Sequence, residues 1–238
     1  MENKKYAKAK ILENTEVSKN IFKLVLEGNF KGDPGQFYML KAWKESPLLP
    51  RPFGICDLSE NSITFLYEVV GKGTSIMSSL RVGEYMEILG PLGNGFEIFK
   101  DKKTAIVTGG IGIAPMIYLS YFLKDVDLYT GFRDTPYMTD SFKNIRKNVI
   151  STDDGSYGEK GFITDFVEDK YDVIYACGPN PMMRSLKNRN LSAKEYYSLE
   201  AHMACGIGDC LGCTVKTVNG LKRVCKDGPI FEKDEVIF

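Results

Sequence analysis

Four of the six cysteines lie close together near the C-terminus and have the spacing of metal ligands. They are Cys205, Cys210, Cys213 and Cys225, in the pattern C-x4-C-x2-C-x11-C. The first three match the C-x4-C-x2-C spacing of plant-type 2Fe-2S centres. Structural zinc sites usually contain two C-x2-C pairs, and here Cys210 and Cys213 form one. The spacing therefore favours an iron–sulfur cluster, with a zinc site or simple thiols as the alternatives left open.

A loop that wraps a metal cluster needs residues without bulk, and glycines stand between these cysteines. Gly206, Gly208 and Gly212 would provide that backbone freedom. The segment from about residue 195 has few long periodic runs and is too short for a confident core of its own. We therefore expect the metal centre to hold this segment together. The lone histidine, His202, is expected to have a surface or packing role.

Other segments have the chemistry of nucleotide-binding loops. Gly71–Thr74 precedes a predicted helix at Thr74–Leu80, and Arg51–Gly54 brings an arginine that can pair with a phosphate. Gly109–Pro115 follows a predicted strand and opens a predicted helix, as a dinucleotide loop does, although its last position is proline. Cys177–Pro179 ends a later strand, at a sheet edge where ligands bind. Each motif is weak by itself, because such glycines and strand ends are often only structural.

The elements that must position these residues divide the chain into three predicted parts. Residues 1–100 contain short strands rich in β-branched and aromatic residues, which predicts an antiparallel β-barrel. Residues 101–194 alternate strands and helices, which predicts an α/β Rossmann-like unit with a parallel sheet. Residues 195–238 form a small C-terminal part around the cysteines, so the predicted fold class is multi-domain. The predicted strands are Ala7–Glu13, Ile21–Glu27, Gln36–Ala42, Ser62–Val70, Tyr85–Leu89, Thr104–Thr108, Val126–Thr130 and Val173–Ala176, and a second helix is predicted at Ala114–Leu123.

Charge and hydropathy exclude several classes of function. Lys and Arg together number 31, as do Asp and Glu, so no overall electrostatic footprint for nucleic acid or an anionic membrane is present. No apolar run approaches the about 18 residues of a membrane span. No apolar stretch follows the N-terminal lysines, so we expect no secretory signal and a cytoplasmic location.

The order of these motifs resembles the ferredoxin–NADP reductase superfamily, whose members bind a flavin on a barrel and a nicotinamide nucleotide on an α/β half. Within it, the chain resembles the electron-transfer subunits of NAD-dependent (type B) dihydroorotate dehydrogenases over nearly its whole length. The most specific motifs are Met203–Gly208 and Val224–Phe231, and Gly90–Phe96 also agrees.

The resemblance implies a site for each cofactor. Gly54 stands where the family usually has serine, so a backbone N–H would have to serve the flavin N5 region. Arg133 and Asp134 give opposite indications about a 2′-phosphate, and NAD is expected from the resemblance. The implied residues are Arg51, Pro52, Phe53, Gly54, Leu66, Tyr67, Glu68, Gly73 and Thr74 for FAD, Gly110, Gly112, Cys177 and Gly178 for NAD, and Cys205, Cys210, Cys213 and Cys225 for a 2Fe-2S cluster.

The resemblance also implies an oxidoreductase subunit that relays electrons through cofactors and uses no catalytic side chain. Electrons would pass from the FMN of a dihydroorotate dehydrogenase catalytic subunit, through the cluster and FAD, to NAD+, in pyrimidine biosynthesis. The assembly would be a heterotetramer with two of each subunit and no nucleic acid or membrane partner. Two alternatives stay open. One is a flavin/2Fe-2S subunit of an NADH-dependent ferredoxin–NADP oxidoreductase or sulfide dehydrogenase; the other is a non-enzymatic redox sensor or zinc-stabilised interaction module.

Overall fold

The computed structural model describes residues 5–238, and an antiparallel sheet of seven strands forms the N-terminal part. Its elements are β1 (Lys5–Ser18), β2 (Ile21–Glu27), β3 (Phe37–Lys41), β4 (Arg51–Gly54), β5 (Asp57–Leu58), β6 (Ser62–Glu68), α1 (Lys72–Ser78) and β7 (Tyr85–Leu92). The strand order is β4-β3-β7-β1-β2-β6-β5, and the sheet curls so that β4 also contacts β6. This curled sheet confirms the predicted barrel.

The barrel strands form because one face of each strand is apolar and turns inward. In β7, buried and more exposed residues alternate along the strand, with Met86, Ile88 and Leu92 in the core. The structure adds β4, which is not among the predicted strands. Its Pro52 pairs with Met39 of β3, and β4 lies at the sheet edge, where a missing N–H is tolerated.

A second seven-stranded sheet follows, with helices on its faces. Its first elements are β8 (Thr104–Gly109), the 3-10 turn Gly110–Gly112, α2 (Ile113–Ser120), β9 (Val126–Phe132), the 3-10 turn Thr139–Ser141, β10 (Ile145–Thr152), β11 (Glu159–Lys160), the 3-10 turn Ile163–Phe166, β12 (Val173–Cys177), α3 (Asn180–Asn188) and β13 (Lys194–Ser198). These strands are parallel, and β8 and β12 are buried along their whole length, as expected of strands covered on both faces. The predicted α/β unit is thereby confirmed.

The cysteine-rich tail returns to this second sheet. It contains β14 (Thr214–Thr217), β15 (Gly220–Arg223), α4 (Val224–Asp227) and β16 (Ile230–Glu232). Strand β16 pairs antiparallel with β13, through Tyr196 with Glu232 and Ser198 with Ile230. The predicted division at residue 195 falls inside β13, whose strand begins at Lys194. Our expectation that the metal centre holds this segment together is therefore incomplete, because backbone hydrogen bonds also anchor it, and the division into three domains stays a prediction.

A continuous core joins the three parts of the chain. One cluster of buried side chains contains Met39 of β3, Leu92 of β7, Ala176 of β12 and Cys225 of α4. The tail is therefore packed against both the barrel and the parallel sheet. Within residues 5–238, no helix has both the length and the apolar character needed to cross a bilayer.

A buried ion pair adds a second anchor for the tail. The side chain of Glu195 on β13 is fully buried, and its Oε1 lies 2.9 Å from Nζ of Lys233, the residue that follows β16. The hydroxyl of Tyr197 donates to Oε2 of the same carboxylate at 2.5 Å. Burial raises the pKa of Glu195, and these two partners oppose that effect without cancelling it.

Replacing Lys233 by methionine should destabilise the protein, because it leaves Glu195 buried without its cation. We expect Lys233→Met to lower the free energy of unfolding by about 3 kcal/mol at pH 7. The loss should shrink as the pH falls toward 5, because the pKa of Glu195 is already raised and protonation removes the unpaired charge. Urea denaturation at several pH values measures both effects.

Lys216→Met is a suitable control, because Lys216 is exposed on β14. Its free energy of unfolding should change by at most about 0.5 kcal/mol. Equal stability of the two variants at pH 7, or a deficit of Lys233→Met that grows on acidification, would contradict the role given to this ion pair.

Candidate functional site

A cleft of about 330 Å³ lies between the barrel and the parallel sheet. The barrel side of the cleft contains seven of the predicted flavin residues: Pro52, Phe53, Gly54, Leu66, Tyr67, Glu68 and Thr74. The sheet side begins with Ile111, Ala114 and Pro115, around the start of α2, and with Cys177 at the end of β12. A mostly apolar cleft with a few polar groups has the character of a site for a small molecule or cofactor.

The ring of Tyr67 is held rigidly in the barrel wall of this cleft. It stacks on Phe22 with ring centroids 5.5 Å apart and packs at a tilt against Phe53 at 5.8 Å. Its hydroxyl donates to Oδ1 of Asn14 at 2.9 Å, and Nδ2 of Asn14 donates to two carbonyls at the end of α1. Burial raises the pKa of Tyr67, so its phenol is neutral. Asn14 thus links the position of this ring to the position of α1.

The barrel and the parallel sheet touch at Gly54 and Pro115. A Cβ atom at Gly54 would lie 3.2 Å from Cβ of Pro115, which is tighter than most contacts of that kind. A serine at this position would push against the first turn of α2. The close approach gives a steric reason for glycine where the resembling family usually has serine.

Arg51 and Gly73 lie beside the cleft at the start of α1. A Cβ atom at Gly73 would lie 3.1 Å from Nε of Arg51. The hydroxyl of Thr74 accepts hydrogen bonds from the N–H groups of Val70 and Gly71 at 3.0 and 3.3 Å, which shapes the turn into the helix. Arg51 and Gly73, the two predicted flavin residues that do not line the cleft, therefore lie next to it.

The predicted nicotinamide residues meet at the carboxyl ends of β8 and β12. A Cβ atom at Gly112 would lie 2.4 Å from the carbonyl oxygen of Cys177 and 2.8 Å from Cα of Gly178. Gly110 has a φ of +52°, and the space beside it is open. Burial, and then the charge of Glu200, raise the pKa of Cys177, so its thiol stays neutral. Gly112 thus permits close packing, whereas Gly110 faces open space.

The sequence analysis missed the last wall of the cleft. Glu200 lines the cleft and is exposed. Partial desolvation by the surrounding protein raises the pKa of its carboxyl group, and the charge of Glu68 adds to that effect. A strand end at the carboxyl edge of a parallel sheet was the available signal, and β13 itself had not been predicted. The residues of this wall are Ser198, Leu199, Glu200, Ala201, Met203 and Pro229. Of these, Met203 and Pro229 belong to motifs noted in the sequence, but their place in the cleft was not predicted.

The four clustered cysteines form two neighbouring pairs. The N–H group of Cys225 donates to Sγ of Cys213 at 3.4 Å. Cys210 is close enough to affect the pKa of Cys205, and Cys205 is close enough to act electrostatically on Cys225. No three His, Cys, Asp or Glu side chains within the described part of the chain converge as the ligands of one ion. Paired thiols suit a 2Fe-2S cluster, because its four thiolates are shared by two irons.

Backbone N–H groups point at the sulfurs of this group. Ile207 donates to Sγ of Cys205 at 3.5 Å, and Gly212 donates to Sγ of Cys210 at 3.4 Å. Burial disfavours the Cys205 thiolate, but N–H donors from the loop outweigh it and lower its pKa to about 6. Hydrogen bonds to sulfur stabilise thiolates and tune iron–sulfur centres. The donor set therefore fits a cluster that needs four thiolates.

The loop conformation agrees in part with the predicted role of its glycines. Gly206 and Gly208 have positive φ values of +71° and +93°. The third left-handed position is Leu211, with φ +57°, and not Gly212 as expected. Arg223 links this loop to α4. Its Nη1 donates to the carbonyl of Gly208 in the loop at 3.1 Å, and its guanidinium forms an ion pair with Asp227 of α4 at 2.9 Å.

Burial differs among the four thiols. Cys213 and Cys225 are buried, Cys205 is half-buried and Cys210 is exposed. The site therefore has one edge at the protein surface. His202 is also exposed, in agreement with the surface role expected for it.

Comparison with known proteins relates both sites to one family. Residues 200–237 match the family described as the iron-sulfur cluster binding domain of dihydroorotate dehydrogenase B. The chain is similar to a protein of Clostridium acetobutylicum named dihydroorotate dehydrogenase B (NAD(+)), electron transfer subunit, with 46% identity over 98% of both chains. A protein with the same name from Clostridium perfringens is 44% identical over 98% of both chains. Another from Caldanaerobacter subterraneus is 40% identical over 97% of this chain and 98% of that relative.

Two solved structures illustrate the fold relationship. The structure of an NADH-dependent reduced ferredoxin-NADP oxidoreductase superposes with a TM-score of 0.87 and 28% identity, over 96% of this chain and 89% of that one. A ferredoxin reductase of carbazole 1,9a-dioxygenase superposes with a TM-score of 0.67 over 80% of this chain and 67% of that one. At 19% identity, the second similarity concerns the fold alone.

Two glycines of the loop after β8 should respond differently to substitution by alanine. Gly112→Ala places a methyl group against the backbone of Cys177 and Gly178, so we expect a loss of about 3 kcal/mol in the free energy of unfolding. Gly110→Ala meets open space and carries only the cost of a positive φ, about 1 kcal/mol. Urea denaturation of both variants measures the difference, and equal losses would contradict the packing role of Gly112.

Proposed function

The chain belongs to the family of dihydroorotate dehydrogenase B electron transfer subunits, and from this premise we propose the path of its electrons. They pass from the FMN of a dihydroorotate dehydrogenase catalytic subunit, through a 2Fe-2S cluster and FAD, to NAD+. The chain is thus an oxidoreductase subunit in which side chains hold cofactors, and dihydroorotate is oxidised in the partner. The reaction belongs to pyrimidine biosynthesis.

One observation carries this proposal: the cysteine segment is part of the cleft wall. Met203 lines the cleft, and Cys205 follows two residues later. Two residues span at most about 7 Å, so the first cluster ligand lies next to the cleft. Pro229, four residues after Cys225, lines the cleft from the other end of the segment. A flavin in the cleft and a cluster on the thiols would therefore be neighbours, as electron transfer between them requires.

The residues of the chain would act by binding, orienting and excluding water. When bound, a flavin exchanges hydride with a nicotinamide and single electrons with an iron–sulfur cluster, which joins two-electron and one-electron chemistry. Pro52, Phe53 and Tyr67 provide an apolar wall for the flavin ring, while Arg51 supplies a cation for its phosphates. The open side of Gly110 and the edge at Cys177 would admit the nicotinamide nucleotide.

The surface near the thiols would face the partner subunit. Cys210 is exposed, and the adjacent Leu211 and the hairpin residue Leu221 have 62% and 74% of their surfaces exposed. Apolar side chains beside an exposed redox ligand suit a surface that another protein covers. The stoichiometry of two of each subunit and the cytoplasmic location stay predictions.

A second candidate concerns the partner and keeps the cofactors. Similarity to the NADH-dependent reduced ferredoxin-NADP oxidoreductase structure favours a flavin/2Fe-2S subunit of that kind of enzyme. The higher identity to dihydroorotate dehydrogenase B subunits, over nearly the full length of both chains, favours the first candidate. Co-purification of the tagged chain from its own cells decides between them: an FMN-containing dihydroorotate dehydrogenase supports the first, and a large flavin and iron–sulfur subunit supports the second.

Removing one proposed cluster ligand should separate the two cofactors. Cys225→Ala should lose the iron and the visible absorption of the cluster but keep FAD, because Cys225 does not line the cleft. NADH should still reduce its flavin, while dihydroorotate should no longer do so in the complex with the catalytic subunit. Iron analysis and visible spectra in the presence of each reductant measure these outcomes.

Cys56→Ala is the matched control, because Cys56 is buried in the core, away from the clustered thiols. It should keep both cofactors and respond to both reductants. A colourless wild-type protein that contains zinc and no flavin would refute the proposed function and favour the zinc-stabilised module.

A further inference from the structure

Trp43 is the single tryptophan of the chain and lies directly beneath Arg51. It follows β3, has only 9% of its surface exposed, and packs with the barrel core. The Cζ atom of Arg51 lies 5.4 Å from the centre of the indole ring, within the range of a cation–π interaction. A Cβ atom at Gly73 would lie 2.9 Å from Cη2 of Trp43, so the start of α1 also rests on this ring.

The charge of Arg51 is not balanced by a carboxylate. Arg51 is half-buried on β4, and none of the ion pairs between described residues includes it. Within residues 5–238, the side-chain hydrogen bonds of Arg51 all use Nη1, which donates to the carbonyls of Leu49 at 2.6 Å and Pro50 at 3.4 Å. Nε and Nη2 therefore remain as donors for a ligand. A partly desolvated guanidinium with free donors favours an anion, and two adjacent N–H groups match a phosphate.

The loop that carries Trp43 is also tied to α1. Residues 42–50 connect β3 to β4, and within this loop Oγ of Ser46 accepts a hydrogen bond from Nζ of Lys72 at 2.9 Å. The carbonyls that hold Nη1 of Arg51 come from the end of the same loop. The loop therefore constrains Arg51 from two directions, through the indole face and through the backbone.

We propose that Trp43 is a positioning residue for the pyrophosphate of FAD, acting through Arg51. This inference rests on the proposed function, which places FAD in the cleft. The indole face restricts the guanidinium to one plane, so that little side-chain freedom remains to be lost when Nε and Nη2 bind the phosphates. Leucine would fill part of the same space but would offer no π face, and phenylalanine would offer a weaker one.

The test is FAD affinity, measured by titrating FAD into the full chain after its flavin has been removed. We expect Trp43→Leu to raise the Kd about fivefold and Trp43→Phe about twofold, from the usual strength of a cation–π interaction. Leu48→Ala is the matched control, because Leu48 belongs to the same loop and is 78% exposed. Its Kd should equal that of the wild type. Circular dichroism and thermal unfolding check that each variant is folded.

A double-mutant cycle separates a positioning role from a general packing role. Arg51→Met removes the group on which Trp43 acts, so adding Trp43→Leu to it should raise the Kd no further. An unchanged Kd in Trp43→Leu, or an equal loss in the presence and absence of Arg51, would overturn the inference. If Trp43→Leu does not fold, the cycle is run with Trp43→Phe. A wild-type chain that binds no FAD would instead refute the proposed function.

Discussion

The antiparallel pairing of β16 with β13 is the constraint on which the arrangement of the two cofactor sites depends. It returns the cysteine segment to the edge of the parallel sheet, so that both ends of the segment are fixed by backbone hydrogen bonds. Met203 after β13 and Pro229 before β16 then become cleft-lining residues. The clustered thiols lie between these two points in the chain. This strand pairing, together with the packing of Cys213 and Cys225 in the shared core, fixes the distance of the thiols from the cleft.

Close backbone approaches shape the cleft itself. Gly54 allows β4 to touch Pro115, and Gly112 allows the loop after β8 to pack against the end of β12. In both places a side chain would hold apart two elements that must meet. The barrel and the parallel sheet can therefore lie close enough together to enclose a cofactor between them. The apolar residues that line the cleft on the barrel side and on the sheet side would provide the rest of the contact with a bound cofactor, because burying apolar surface is favourable.

Both sites also share an electrostatic feature: their polar groups are already oriented in the protein as a charged ligand would require. Arg51 keeps donors and a charge without a carboxylate partner, and Trp43 limits its motion. The sulfurs of Cys205 and Cys210 accept hydrogen bonds from backbone N–H groups of the loop. Such arrangements cost stability in the unliganded protein, because folding alone gains little from them. Their presence at two neighbouring positions agrees with a chain that holds two cofactors side by side.

The sequence by itself determined the features that depend on residues close together in the chain. The spacing of Cys205, Cys210 and Cys213 indicated a cluster, and the alternation in β2 predicted its limits as the structure has them. The glycine-rich loop after β8 was also predicted, because a strand, a turn and a helix follow each other directly. Local backbone preferences and side-chain spacing act over a few residues, so these features needed no tertiary partner.

Tertiary structure decided what depends on residues far apart in the chain. Arg51–Gly54 becomes a strand only because β3 offers it a partner, and the wall at Glu200 exists only because β13 joins the parallel sheet. The left-handed backbone conformation in the cysteine loop falls on Leu211 and not on its neighbour Gly212. Contacts such as that of Trp43 with Arg51 and Gly73 follow from strand register and the packing of α1. Neither register nor packing is encoded in the spacing of any single segment, since each depends on which distant surface the segment meets.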